Sequence, residues 1–326
     1  MRVSVIATVL NEGESIRRLM DSLCAQTHQP DEVVIVDGGS RDTTVTVMET
    51  YRDRLPLKIV VEAGANISRG RNLAVSHAMG DLLAITDAGV RLDPAWLKNL
   101  AAPFERDSAL NVAAGFFLPD PHTVFEAAMG ATVLPQVEDI HPATFLPSSR
   151  SVALRRSAFE AVGGYPEWLD YCEDLIFDLR LQANFAPFAF APDALVYFRP
   201  RGSIRSFYKQ YRLYARGDGK ADLWRKRHII RYIAYLVAFP SLIALALRVS
   251  PWFWLLMLLG GLGYCRTPLR RLPRVMNRLP FTPSALDWAK AVAWIPVIRA
   301  VGDLAKMIGY PVGRRWRREN HPPAWK

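Results

Sequence analysis

The chain has 326 residues, a formal charge of +10 and three cysteines, enough length for one large α/β domain with an appendage or for two ordinary domains. Cys24, Cys172 and Cys265 are odd in number and far apart, which argues against a disulfide framework or a cysteine zinc cluster and fits a reducing compartment. Most of the basic excess lies beyond Arg199 among long apolar runs, without the interleaved aromatics of a nucleic-acid binder, so the expected partner is a membrane surface and not nucleic acid.

Val3 to Val9 is apolar and β-prone, and Ile16, Leu19, Met20 and Leu23 then recur at helical spacing, which predicts strand, loop and helix. Asn11, Glu12 and Glu14 break the opening run too early for an export signal. Val33-Val34-Ile35-Val36 ends at Asp37-Gly38-Gly39-Ser40, as a buried parallel strand running into a turn would, and Thr43 to Tyr51 reads as a helix. Lys58 to Val61 predicts a third strand, Arg71 to Met79 a helix, and Leu82 to Ile85 a fourth strand that stops at Thr86-Asp87. This alternation predicts a doubly wound sheet. Ligands bind such sheets at the carboxyl ends of the strands, where Glu12, Asp37 and Asp87 all fall. From Ala101 to Arg150 the chain is Pro-interrupted and less regular. Beyond it, Ser151 to Leu154 reads as a strand, Arg156 to Val162 as a short helix, and Gly163-Gly164-Tyr165-Pro166 as a turn. Asp174 to Gln182 reads as a helix whose positive N-terminal end favours the acidic pair Glu173-Asp174.

After Arg225-Lys226-Arg227, the run from Ile229 to Leu247 is apolar apart from Arg231, and Trp252 to Cys265 is apolar again. Basic residues flank the pair before the first run and after the second, at Arg266, Arg270, Arg271 and Arg274, so both flanks are expected on the cytoplasmic side of a hairpin over residues 229–265. Residues 285–309 carry Lys290, Pro296, Arg299, Asp303 and Lys306, which suits an interfacial helix better than a third span. The basic cluster from Arg314 to Arg318 then falls on anionic headgroups.

Five motifs stand in one order: Val3 to Ile6 leading to Asn11-Glu12; Val36-Asp37-Gly38-Gly39-Ser40 with Asp42-Thr43-Thr44; Gly70-Arg71-Asn72; Thr86-Asp87-Ala88-Gly89; and Gly163-Gly164-Tyr165 followed by Glu173-Asp174. Over residues 1–219 this order resembles family 2 glycosyltransferases, in particular membrane-associated bacterial ones. The resemblance implies an α/β fold of the GT-A type, a doubly wound mixed sheet, in a catalytic domain of residues 1–220. Residues 221–326 then form a helical membrane-associated region. It also implies inverting transfer of a sugar from a nucleotide-sugar donor to an acceptor.

By that resemblance Asp37 binds the base or ribose, Thr8 and Glu12 line the same pocket, and Arg71 helps hold the nucleotide. Asp87 matches the first carboxylate of the family's Asp-x-Asp motif, which binds ribose and a divalent cation, Mn²⁺ or Mg²⁺. Asp174 matches the base that takes the acceptor's proton, with Glu173 orienting it. Each has a plainer reading: Asp37 as a turn cap, Arg71 as a solvated helix residue, Glu173-Asp174 as an acidic helix start. Gly89 stands where the second carboxylate of Asp-x-Asp belongs, and no His lies near Val196, where the family often has one. Two readings therefore stay open, a cation bound by fewer protein ligands or a cationic side chain such as Arg91 in its place. The six histidines show no metal-ligand spacing. A dinucleotide oxidoreductase is set aside, because no Gly-x-Gly-x-x-Gly follows the first strand. The remaining alternative is a noncatalytic membrane-bound nucleotide-sugar-binding protein. An enzyme anchored at the cytoplasmic face of the cell membrane would meet a lipid-linked or other membrane-associated acceptor.

Overall fold

In a computed structural model, residues 1–325 are described. In chain order the elements are β1 (Val3–Val9), α1 (Arg17–Cys24), β2 (Glu32–Asp37), α2 (Thr44–Glu49), β3 (Leu57–Val61), α3 (Ile67–His77), β4 (Leu82–Ile85), β5 (Val90–Leu92), α4 (Trp96–Arg106), β6 (Val112–Pro119), α5 (Val124–Val133), β7 (Val152–Arg155), α6 (Arg156–Ala161), α7 (Glu173–Phe185), β8 (Ala189–Phe198), α8 (Ile204–Ala221), α9 (Arg225–Ile233), α10 (Phe239–Arg248), α11 (Trp252–Met276) and α12 (Ala285–Asn320). They fall into two compact units, one of Met1–Leu118 with Gln136–Phe198, the other of Pro119–Pro135 with Arg199–Pro323.

The first unit is built on one sheet in the order β3-β2-β1-β4-β7-β6-β8-β5. β1 runs parallel to β2 and β4, and β2 parallel to β3; β7 is antiparallel to both β4 and β6. The expected α/β class and mixed, doubly wound sheet are thus present. Side chains alternate across a strand, and here both faces are dry. Val5, Ala7, Val33 and Ile35 pack with Leu19 and Met20 of α1, Met48 of α2 and Trp96 of α4. Ile6, Val34, Val36 and Ile85 pack with Ala74 of α3, Phe159 of α6 and Phe177 of α7. Burial on both faces explains why these strands read as largely apolar runs without strict polar alternation.

The irregular stretch from Ala101 to Arg150 resolves into the end of α4, β6 and α5. Pro103 lies inside α4, and β6 is rich in small and apolar residues with no polar alternation, so neither showed a period. α3 starts at Ile67, earlier than expected, because the Asn66 side chain accepts from Arg69 N at 2.9 Å and caps it.

In the second unit, Ala128 and Met129 of α5, Phe207 of α8, Met276 of α11 and Ile295 of α12 form one core. α8 and α12 approach closely at glycines: a Cβ on Gly309 would lie 2.1 Å from Arg212 O and one on Gly313 2.0 Å from Arg216 O. α9, a π turn at Ala234–Ala238 and α10 run on as one helix from Arg225 to Arg248. Pro240 follows the π turn and supplies its cause, since proline offers no N–H and its ring crowds the carbonyl four residues back. Among the described residues this is the one helix long and apolar enough to cross a membrane. The second apolar run continues through Cys265 to Met276 as α11, and the third helix extends to Asn320 as α12.

Candidate active site

Three of the five motifs follow strands β1, β2 and β4 and end at the carboxyl edge of the first unit's sheet. Asp37 closes β2 fully buried, and Oδ1 accepts from the backbone N–H of Gly39 at 2.8 Å and of Ser40 at 2.7 Å, while Oδ2 accepts from the Ser40 hydroxyl. Asp37 therefore builds the loop at the strand end. Gly39 has φ +93° and a Cβ there would lie 2.9 Å from Ala63 Cα, so only glycine fits the turn. The loop after β1 is tied to the same region, since the N–H groups of Glu12 and Gly13 donate to Thr44 Oγ1 at 2.9 and 2.8 Å. The Glu12 carboxylate accepts from Ser15 Oγ at 2.7 Å. Thr8 lies under α3, where a Cβ on Gly70 would come within 2.8 Å of its Cγ2.

Arg71 is the hub. It projects from α3 and is 2% exposed. Nη1 donates to Glu173 Oε1 at 2.8 Å and Nη2 to Asp87 Oδ1 at 2.7 Å, while its Cζ lies 5.0 Å from the centre of the Tyr165 ring. One guanidinium thus ties the carboxylate after β4 to the start of α7. Neighbours on α3 complete the suture: Asn72 Nδ2 donates to Tyr165 O at 2.9 Å, Asn72 Oδ1 accepts from Tyr165 N at 2.9 Å, and Ser68 Oγ donates to Leu169 O at 3.0 Å. Gly164 adopts φ +66° beneath Asn72, whose Oδ1 would sit 2.7 Å from an added Cβ. The Gly70-Arg71-Asn72 and Gly163-Gly164-Tyr165 motifs are therefore two halves of one contact.

Asp174 stands in the first turn of α7, half-buried, with Oδ1 accepting from Leu175 N at 2.8 Å. Burial and the adjacent Asp174 push the Glu173 carboxyl up, to about 7, further than Arg71 pulls it down. Two residues that sequence reasoning missed join this cluster. Asp178, one helical turn beyond Asp174, is 1% exposed, and burial followed by Asp174 raises its pKa well above the carboxylate range. Its i+4 spacing from Asp174 was the available signal. Arg150 lies with Nε 3.6 Å from Asp87 Oδ2; the irregular stretch around it gave no such signal. Thr8, Glu12 and Asp37 share the carboxyl edge of the sheet, and the Glu12 and Asp37 side chains are held there by local partners. In the second unit, Arg199 binds the buried Glu126 through Nη2 at 3.0 Å.

A divalent cation at Asp87 would need several oxygen ligands. Asp87 already faces Arg71 and Arg150. Position 89 brings no carboxylate, and among the described residues no three Asp, Glu, His or Cys side chains are grouped to hold a metal. The donor set does not fit a carboxylate-held cation.

Two family models match the chain: glycosyl transferase family 2 over residues 4–161, and glycosyl transferase family group 2 over residues 113–299, more than half its length. The O-antigen biosynthesis protein RfbC of Myxococcus xanthus is 30% identical over 207 residues, 56% of this chain but 16% of that protein, so the chain spans about a sixth of that relative's length. Among solved structures, S. aureus TarS 1-349 in complex with UDP-GlcNAc has a TM-score of 0.53 at 20% identity, covering 98% of this chain and 92% of that one. The mannosyltransferase PcManGT from Pyrobaculum calidifontis, in complex with GDP-Man and Mn²⁺, has a TM-score of 0.55 at 18% identity, covering 99% and 88%. Such likeness establishes the fold and leaves substrates aside. Matched by family models that together run from residue 4 to residue 299, and folded as a mixed, doubly wound sheet of the GT-A type, the chain belongs to the family 2 glycosyltransferases.

Proposed function

We propose that the chain transfers a sugar from a nucleotide-sugar donor to a membrane-associated acceptor with inversion at the anomeric carbon. The observation that carries this reading is the Arg71 crossbar, which joins Asp87, at the donor end of the sheet, to Glu173, beside Asp174, within one buried cluster. In the proposed site, Asp37 and Asp87 meet the base and ribose, with Thr8 and Glu12 along the pocket wall. Arg71 acts from behind by holding Asp87 and Glu173 in place. The acceptor hydroxyl oxygen bonds to the anomeric carbon as the bond from that carbon to the diphosphate oxygen breaks. Asp174 takes the hydroxyl proton, and the nucleoside diphosphate leaves with the bonding pair. Glu173 orients that base. UDP-GlcNAc and GDP-Man, bound in the two similar solved structures, support a nucleotide-sugar donor of either base.

The acceptor side of the proposal rests on the C-terminal helices. Ile230, Ile233, Leu236, Val237 and Leu247 are exposed on the helix from Arg225 to Arg248, and Trp252, Leu256 and Leu259 on α11. An apolar surface of that extent calls for a membrane or a partner, and the basic flanks favour the cytoplasmic face. The RfbC relative's role in O-antigen biosynthesis is consistent with an envelope acceptor. We further propose that residues 1–220 serve catalysis and residues 221–326 serve membrane attachment.

Asp174→Asn tests the chemistry. The purified full chain should bind nucleoside diphosphate as the parent does, while sugar transfer to membrane lipid extract falls about 100-fold or more. Transfer at the parental rate would refute Asp174 as the base, and a parent that binds donor without turnover would favour a binding protein.

A further inference from the structure

We infer that Arg150, and not a carboxylate-held divalent cation, supplies the positive charge that the donor diphosphate meets beside Asp87. This rests on the donor-binding role proposed above and goes beyond it by naming the group that replaces the metal.

Where a second carboxylate would project, at Gly89, an added Cβ meets nothing within 4 Å, so the space is open. The next residue, Val90, pairs with Phe198 across the β5–β8 ladder. Arg150 stacks on that phenylalanine, with Cζ 4.4 Å from the Phe198 ring centre and 5.7 Å from that of Phe117. Its Nη1 donates to Ser148 Oγ at 3.0 Å, and its carbonyl accepts from Thr86 Oγ1 at 2.9 Å, which pins its backbone to the residue after β4. The guanidinium is therefore fixed from both ends beside Asp87, not waving at the surface.

The chemistry matches. A guanidinium presents planar N–H donors whose fork fits phosphate oxygens, and it can stack on aromatic rings while keeping its full charge. A cation entering at Asp87 would meet two guanidinium groups, Arg71, which also holds Glu173, and Arg150. A diphosphate entering there meets the Arg150 guanidinium as a charge of opposite sign. Arg91 has a different place, with its Cζ 4.0 Å over the ring of Tyr197, its partner in the ladder.

Calorimetric titration of the detergent-solubilised full chain with UDP and with GDP, in EDTA and then in Mn²⁺, tests the inference. For whichever nucleotide binds, the parent affinity should differ less than about threefold between the two buffers. Arg150→Gln should weaken binding by about tenfold or more, as loss of a charge-assisted contact predicts, with its melting temperature kept; Arg91→Gln should bind like the parent. Combining Arg150→Gln with Gly89→Asp should restore affinity in Mn²⁺ but not in EDTA. A parent that loses tenfold or more in EDTA, or an Arg150→Gln variant that binds as tightly as the parent, overturns the inference while leaving the donor reading intact. If neither nucleotide binds in either buffer, the donor reading falls and takes the inference with it.

Discussion

Arg71→Met removes a buried cation while keeping an unbranched side chain of similar reach. Arg71 is 2% exposed and holds Glu173 Oε1 at 2.8 Å and Asp87 Oδ1 at 2.7 Å. Removing one partner of a buried ion pair costs about 3–5 kcal/mol. Two features draw the figure to the low end. The Asp87 side chain is 26% exposed, so water can replace part of what Arg71 gave, and Glu173, raised to about 7, can take up a proton. We expect a loss of about 3 kcal/mol near neutrality, which for a unit of this size lowers Tm by about 6–12 °C. The sign of the pH dependence follows. Arg71 is the group that pulls Glu173 down, so without it the folded state holds the proton higher still. The unfolded chain gives up that proton near pH ~4.3, so the native variant binds more protons than the unfolded one and loses stability as pH rises. Melting followed by circular dichroism in detergent, at about pH 5 and about pH 8, should therefore show a deficit against the parent that widens at the higher pH. A fall of less than about 2 °C, or an equal deficit at both pH values, would refute the crossbar as a buried, charge-compensating contact.

Asp178→Asn should behave in the opposite way. Burial, then Asp174, raises the Asp178 carboxyl, so the folded parent keeps a proton that the unfolded chain releases near pH ~3.9, and parental stability falls as pH climbs above that value. Asparagine copies the protonated form, so the variant's Tm should gain on the parent between about pH 5 and pH 8; a constant difference would count against a raised Asp178. In the C-terminal helices, Leu236→Asp with Phe239→Asp puts two charges on exposed apolar positions of the helix from Arg225 to Arg248. Each charge at a span centre costs about 2.5–3.5 kcal/mol, so the full chain should move from the carbonate-washed membrane pellet to the supernatant. Retention in the pellet would rule this helix out as the anchor.

The parts of the fold legible in the sequence are those where burial leaves a chemical trace. β1, β2 and β4 are enclosed on both faces and read as mostly aliphatic runs, and the points where the β2 and β4 runs stop locate Asp37 and Asp87 at the strand ends. The partners of Arg71 were not legible. They depend on how α3 meets the segment from Tyr165 to Glu173, a contact between residues 102 positions apart, and α3 gave no clear apolar stripe because Ser68, Gly70 and Arg71 share its buried side with Ala74 and Val75. Arg150 was hidden for a related reason. Its placement is set by the Thr86 hydroxyl and by rings from β6 and β8, none of which is near it in sequence. The second unit shows the same limit at α5, which lies between β6 and β7 in the chain yet packs with α11 and α12.

The change of strand direction at the middle of the sheet explains why this cluster exists at all. From β3 to β4 the strands are parallel, so their carboxyl ends, with Asp37 and Asp87, lie along one edge. β7 then pairs with β4 antiparallel, Ile85 opposite Val152 and Leu82 opposite Arg155, which brings the amino end of β7 to that same edge. Arg150, just before β7, arrives beside Asp87 as a result. A parallel β7 would have carried Arg150 to the far side of the sheet, leaving Asp87 with Arg71 alone. α3 faces the same edge with its first turns, and α7 begins there, so Arg71 and Glu173 meet over the strand ends. Acids that follow parallel strands and a cation that precedes an antiparallel one are thereby brought together by topology, before any single side-chain contact selects between them.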